Sequence, residues 1–448
     1  MHSVQIGSSR ITPGGGLPLW PLTIAFTGYV VFWAVGIPWL VWPLMALPMF
    51  VNLALCKNAR VPPGFNGWLL FVAVVIASAS MIEGGASGWI QWAYNLGEYL
   101  CATVFFAYTY NVNAAADRVI PLLARFWAVA IVCGILGMLL PHFQMQAPAA
   151  HVIPPGLRDN EFIKSTLNIR FASVDNLVGV PRPSAPFPYS NRWGAVVLLT
   201  LPAATWYVFR MRRPRSVVWI AIFVVSIVPI VYSQNRGLWI GMAVAGMYLA
   251  MRALREGNIG RMAAIIMIFV LVALLGYVTG LTSIVLAKFN SHYSSDARSS
   301  IYGLTWDAFK QKPWIGHGTS GTATGNVVGG VAVGSQGQLW ALMYSTGVSG
   351  LVTFYGWLLW SFGYSRKDSG AMGTVLRLPL LLAACVSVVY AFVPESMVII
   401  VVSLACVLAA KRGSVSWPQT RRSPNGPLAI GAVNPAASPG ALQGGGSK

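Results

Sequence analysis

Negative charge is scarce in this chain. Only 11 of its 448 residues are Asp or Glu, and charged residues of both signs make up 9%. A soluble protein of this length carries about 25%. With 56% hydrophobic residues and a mean hydropathy of +0.64, the composition excludes an ordinary soluble domain and indicates a polytopic membrane protein. The 30 Lys and Arg leave a formal charge of +19. On a soluble protein that would suggest nucleic acid. On a membrane protein it reads as orientation charge at the surface, and no nucleic-acid partner is expected. The few cysteines, Cys56, Cys101, Cys133, Cys385 and Cys406, lie in or at the ends of apolar runs without a CxxC. They read as small apolar residues, not as disulfides or thiolate ligands. The histidines are scattered, with no HExxH, so no metal site and no cofactor are expected. The polar start, MHSVQIGSSRITPGGG, reads as a cytoplasmic tail over residues 1–17, not as a cleaved signal.

What the chain has is long apolar runs. A span needs about 17–20 apolar residues. Twelve candidates occur, near 18–36, 38–56, 66–82, 89–111, 119–140, 192–209, 217–232, 238–253, 262–284, 338–362, 377–392 and 396–411. They form one transmembrane domain over 18–411. The remainder, 412–448, is rich in Pro, Gly, Ser and Ala and reads as a disordered cytoplasmic tail. The fold class expected is all-α, with about 12 transmembrane helices and both termini cytoplasmic. Most Lys and Arg then fall in inner segments, including Lys57, Arg60, Arg118, Arg210, Arg252, Arg255, Arg261, Arg366, Arg377 and Lys411. Two long outer loops, about 141–191 and 285–337, remain, and long loops in compact domains usually carry function.

One cation breaks the pattern. In YSQNRGLWIGM (232–242), Arg236 sits in a short outer turn between two apolar runs, where a charge is costly without a role. Arg182 and Arg192 flank the Pro-rich end of the first loop, and Arg298 opens a candidate helix, 298–309, in the second. That helix would lie flat on the outer face, with Trp306 on it and His317 just beyond. Guanidinium groups hold phosphate bidentately, so four at one surface could clamp a lipid-linked pyrophosphate. The bland alternatives are an interfacial anchor for Arg192 and ion pairs of Arg182 or Arg298 with Asp175 or Asp296. Trp306 and Trp314 could stack on sugars or anchor the loop. His317 reads first as a packing residue. Glu395, in VPES, reads as a solvated turn residue without a cation nearby, with substrate contact as the second reading. Glu98 and Arg125, inside neighbouring spans, are expected to pair loosely.

Four motifs in order carry a family resemblance. SQNRGLWIGM resembles the "SRG–hydrophobic–hydrophobic–G" signature of the O-antigen ligase and Wzy-type polymerase superfamily. ARSSIYGLTWDAFKQKPWIGHGTSG, RPSAPFPYSNRWGAVVLLTLP and SQGQLWALMYSTGVSGL resemble the family's large-loop block, its preceding element and its tenth-span start. The resemblance covers about 180–360. It implies a GT-C-like fold with a large outer loop containing short membrane-parallel helices. The implied enzyme is an inverting glycosyltransferase of the bacterial cytoplasmic membrane, its site facing outward. It moves a glycan from a polyprenyl-pyrophosphate donor to an acceptor glycan among membrane lipids, with a chain-length regulator as a conceivable partner. No nucleotide sugar or metal is implied, in keeping with the lack of a DxD motif. Arg236 and Arg298 match the family's functional arginines, and Arg182 matches a third.

The tenth-span motif departs from the family. Alignment on Ser345–Gly347 places Gln336 where the ligases have a histidine that activates the acceptor. Glutamine cannot act as a general base. Another outer residue could supply the base, from His317, His292, Glu161, Asp175 and Glu395. Alternatively, the reaction is late and dissociative and Gln336 orients the acceptor. A third reading is a polymerase, where the histidine is less expected, and the balance favours it slightly. The rival of another class is a transporter or flippase of a lipid-linked or polar solute. Such proteins place polar residues at mid-membrane in broken helices, often in repeated halves, and no repeat is visible here.

Overall fold

The computed structural model describes residues 17–83, 85–154, 161–174, 181–210, 215–278, 280, 293–319, 327–328, 331–334, 336–366, 370–392 and 394–414. Side chains at 161–162, 174, 215–216, 275, 293–298, 327–328, 331–332 and 413–414 are outside that description. Almost all of both expected tails, together with His292, Asp175 and the side chains of Glu161, Asp296 and Arg298, therefore lie outside the described residues.

Each of the twelve apolar runs carries helix among its described residues. In chain order they are α1 (Trp20–Thr27), α2 (Tyr29–Val35), α3 (Val41–Ala54), α4 (Phe65–Ala77), α5 (Gly85–Asn111), α6 (Ala115–Leu139), α7 (Glu161–Leu167), α8 (Ser190–Arg210), α9 (Arg215–Tyr232), α10 (Arg236–Arg255), α11 (Ile259–Val278), α12 (Tyr293–Gln311), α13 (Gln338–Arg366), α14 (Ala371–Val386) and α15 (Pro394–Ser414). Among the described residues, four helical segments are long and apolar enough to cross a bilayer: Ala115–Leu139, Arg236–Arg255, Ile259–Val278 and Pro394–Arg412. The first apolar run is two helices, α1 and α2, meeting at Gly28. The helix expected at 298–309 is longer, as α12.

The chain is mostly helical, as expected, with a few short strands added. Three antiparallel two-stranded ribbons are present among the described residues: β1 (Gln144–Gln146) with β2 (Asn168–Arg170), β3 (Ala172–Val174) with β4 (Pro181–Pro183), and β5 (Val327–Val328) with β6 (Val331–Ala332). Their strands span two or three residues, too short for a period-two pattern to show in sequence. The first two ribbons cap a small second core in which Ile169, Ala147 and Leu167 pack on Trp33.

α15 is the axis of the bundle. Its run MVIIVVSLACV is buried on every side, as an all-round apolar helix must be. It packs on α5, α6, α8 and α14. α11 is the opposite case. Its main neighbour is α10, where Gly246 admits the Phe269 ring, and Leu271 and Tyr277 are exposed. Such a surface requires an apolar solvent.

The two ends of the bundle differ. At one end Arg60 exchanges backbone hydrogen bonds with the Asn111 side chain (both 2.8 Å). There Lys411 Nζ also donates to Tyr364 O (2.9 Å), Arg377 Nη1 donates to Ser365 O (3.1 Å), and Arg252 donates to the Thr374 hydroxyl. The chain enters α1 at this end too, since Tyr108 Oη donates to Pro18 O. The other end carries the ribbons, α12 and the turns at 233–236 and 387–392.

Candidate active site

The Arg236 turn is built for close approach. The chain leaves α9 through Ser233 and Gln234, the latter at φ +51, a left-handed conformation uncommon for a residue with a side chain. Asn235 then occupies the N-cap position in an extended conformation but spends its side chain elsewhere. Its Nδ2 donates to Ser190 O (3.3 Å), and its Oδ1 accepts from Tyr390 Oη. Gly194 and Gly237 make this possible. A Cβ at Gly194 would lie 2.1 Å from Asn235 Nδ2, and one at Gly237 would lie 2.8 Å from Tyr390 Cζ. Arg182, on β4, donates from Nε to Ser233 O (2.9 Å), so the end of the first long loop is fastened to this turn. Ser233, Gln234 and Asn235 are buried, while Arg236, first in α10, keeps partial exposure.

The 387–392 turn extends the network. Gln338, first residue of α13, donates its N–H to Tyr390 O (2.8 Å) and accepts the Phe392 N–H at Oε1 (2.9 Å). Its Nε2 donates to Tyr99 Oη (3.1 Å) on α5. Gly337 lies against Val388 O, which sets Gln336, partly exposed, at the edge of this junction. The N-termini of α8, α10, α13 and α15 thus meet through Ser190, Asn235, Gln338 and Phe392. Each helix start carries about half a positive charge, so the junction is an anion-attracting field even before arginine is counted.

α12 is docked over this junction by backbone contacts. α13 is interrupted at Gly347 (φ 63, ψ −156), which frees main-chain groups around the break. The 312–318 loop satisfies them. His317 N and Gly318 N donate to Tyr344 O and Ser345 O (both 2.8 Å), and Val348 N donates to Pro313 O (2.8 Å). Tyr302 of α12 stacks on Trp340 (4.3 Å between centroids). His317 is largely buried, stacks on Tyr344, and places Nε2 3.0 Å from Ala308 O. A carbonyl only accepts, so that nitrogen carries the proton. Trp306 stacks on Phe309 and is 51% exposed. Arg298 lies one helical turn before Tyr302 in α12.

Lys312 also donates to Glu83 Oε1, in the turn before α5. That hydrogen bond and the ammonium charge hold the Glu83 carboxyl below its ordinary 4.5. The folded value is depressed, so the pair contributes above the unfolded carboxylate range and is lost as pH falls through the lower value. Amide protection at 312–318, taken relative to the intrinsic exchange rate at each pH, should therefore fall below about pH 4.5, modestly because the pair is solvated. In Lys312→Gln that fall should vanish, and an unchanged profile of protection against pH in the variant would remove Glu83 from the docking.

Below the junction is a buried ionisable cluster that sequence reading paired wrongly. Glu98 does not face Arg125, which is exposed. It lies with Tyr94 beside Arg192 and Glu395. Glu395 is not a solvated turn residue. It is 2% exposed, its Oε1 accepts from Tyr29 Oη (2.7 Å), and Arg192 Nη1 stands 4.0 Å away. The cluster draws on α2, α5, α8 and α15, and which helices neighbour each other is a tertiary fact. Arg192 and Glu395 are thus brought together, and Arg182 joins the Arg236 turn. Trp306 and His317 belong to the docked α12 unit. Sequence reading missed Asn235, Gln338 and Tyr390; the first two are ordinary polar residues whose only signal was their place beside the motif glycines, and Tyr390 carried none.

Residues 221–355 match the family model described as O-antigen ligase. The matched segment runs from α9 into α13 and includes Arg236, Arg298, Trp306, His317 and Gln336. Arg182, Arg192 and Glu395 lie outside it. The match supports the resemblance to the O-antigen ligase and Wzy-type superfamily, and with it glycan transfer by a multi-pass membrane protein. No curated protein matches the chain at a significant level.

Proposed function

We infer, from the O-antigen ligase segment at its centre, that this chain transfers a glycan from a polyprenyl-pyrophosphate donor to an acceptor glycan. The observation that carries this reading is the meeting of four helix N-termini at the Arg236 turn. A lipid pyrophosphate gains negative charge as its glycan leaves. Fixed dipoles and guanidinium groups aimed at that charge stabilise the transition state more than the ground state. Arg236 takes the pyrophosphate directly, with Arg298 of α12 as the second cation. Arg182 is already engaged with Ser233 O and holds the turn that presents Arg236. One displacement at the anomeric carbon, with the acceptor opposite the pyrophosphate, inverts configuration. Gln336, at the rim, orients the acceptor, and Trp306 offers a stacking face for sugar.

The basic end of the bundle supports the orientation. Loops rich in Lys and Arg stay on the cytoplasmic side. Placing Arg60, Arg252, Arg377 and Lys411 there turns the junction outward, in a GT-C-like bundle of about twelve spans. Purified protein in detergent, given polyprenyl-pyrophosphate glycan and acceptor, should produce extended glycan and release polyprenyl pyrophosphate together. Release without glycan product would indicate a hydrolase. Neither product would leave transport as the better account.

A further inference from the structure

Glycan transfer requires the acceptor hydroxyl to lose a proton, and the described groups at this end of the bundle are few. Glu83 is exposed and held by Lys312. Asp307 is exposed and paired with Lys310. The Nε2 of His317 is committed to Ala308 O. Glu395 is engaged by Tyr29 and Arg192 through Oε1 and is 2% exposed, its Oε2 buried without a hydrogen-bond partner. Glu98 likewise leaves Oε1 buried without a hydrogen bond, although a buried carboxylate oxygen normally has a donor, but Glu98 keeps partial exposure. The Tyr94 hydroxyl serves the same carboxyl; a carboxylate only accepts, so a group that completes Oε1 must bring an O–H or N–H.

A second, independent observation lies in the same region. Gln234, 2% exposed, makes no hydrogen bond within the protein through either amide atom. It belongs to the turn that Asn235 ties to Ser190, two residues before Arg192. Unmatched buried polar atoms on Glu98, beside Arg192, and on Gln234, in the turn tied to Ser190, indicate a place where polar ligand groups bind. The position is also recessed. Trp92 Nε1 donates to Val75 O (3.0 Å) near the end of α4, and Glu98 is six residues further along α5, about 9 Å deeper.

Resting on the reading above, we propose that Glu98 is the catalytic base, and that the Tyr94–Glu98–Arg192–Glu395 recess is the acceptor site. The acceptor hydroxyl donates to Glu98 Oε1 and gives up its proton there as its oxygen bonds to the anomeric carbon. The anomeric C–O bond to the pyrophosphate breaks, and its electron pair leaves with polyprenyl pyrophosphate. Arg192 lies beside Glu98 as a countercharge, and its contact with Glu395 keeps that cation from displacing the acceptor.

The test uses Glu98→Gln and Glu98→Asp in the full chain, with polyprenyl-pyrophosphate glycan as the probe. E98Q should bind the donor within about threefold of wild type and lose about 10²–10⁴-fold in turnover, the range for a missing general base. E98D keeps the charge one methylene back and should recover at least tenfold over E98Q. E98Q with near wild-type turnover would overturn the proposal. So would E98D no more active than E98Q, or a matching loss of donor binding and melting temperature. Wild-type protein that releases no polyprenyl pyrophosphate would instead overturn the glycosyltransferase reading itself.

Discussion

Arg236→Ala is expected to lower glycan-transfer turnover by about 10²–10³-fold, the scale seen when a fixed electrostatic stabiliser is removed. The side chain leaves the first residue of α10, where the Asn235–Ser190 and Asn235–Tyr390 bonds hold the backbone in place without it. The turn should therefore survive the substitution, and the loss should fall on the chemical step more than on stability. Arg236→Lys keeps the charge but not the planar fork, and should recover only part of the rate. Arg261→Ala, on an exposed residue at the opposite end, should leave turnover unchanged and serves as the charge control. Single-turnover transfer in detergent gives the comparison. Wild-type rates in both Arg236→Ala and Arg298→Ala would end the pyrophosphate-clamp reading.

Gly347→Val is expected to be the most damaging single change at a glycine. The residue sits at φ 63, ψ −156, a region open essentially only to glycine and costing other residues about 1–3 kcal/mol. A Cβ there would also stand 2.4 Å from Pro313 O and 2.7 Å from the Trp314 carbonyl carbon. The 312–318 loop must move away, breaking the His317–Tyr344, Gly318–Ser345 and Val348–Pro313 bonds. α12 is then no longer fixed over the junction, and turnover should fall at least tenfold to a hundredfold. Amide exchange in 312–318 should rise while the helical circular dichroism is kept. Gly356→Ala, whose added methyl meets nothing within 4 Å, should behave as wild type. Equal exchange in Gly347→Val and Gly356→Ala would mean that the loop does not depend on the α13 break.

The helices were legible because peptide groups in an apolar medium must satisfy one another within the segment. Long apolar runs therefore determined α1–α6, α8–α11 and α13–α15 with little else. Arg236 stood out for the same reason: a guanidinium between two such runs needs an explanation. α12 was readable from its apolar spacing, although its first turns were not. The short ribbons were not readable, because two or three residues carry no period.

The partners of the charged residues were decided elsewhere. Glu98 lies on α5 and Arg125 on α6, neighbours in sequence, yet Glu98 meets Arg192 of α8 because α5 packs along α15, which also packs on α8. Glu395 reads as a turn residue until α2 and α8 are seen to cover it with Tyr29 and Arg192. Asn235, Gln338 and Tyr390 gain their roles only when the starts of four helices meet. Sequence alone determined which segments are helical and which cations are costly, since both follow from local transfer energies. Tertiary structure alone decided which helix ends converge, because that depends on side-chain fit between segments far apart in the chain.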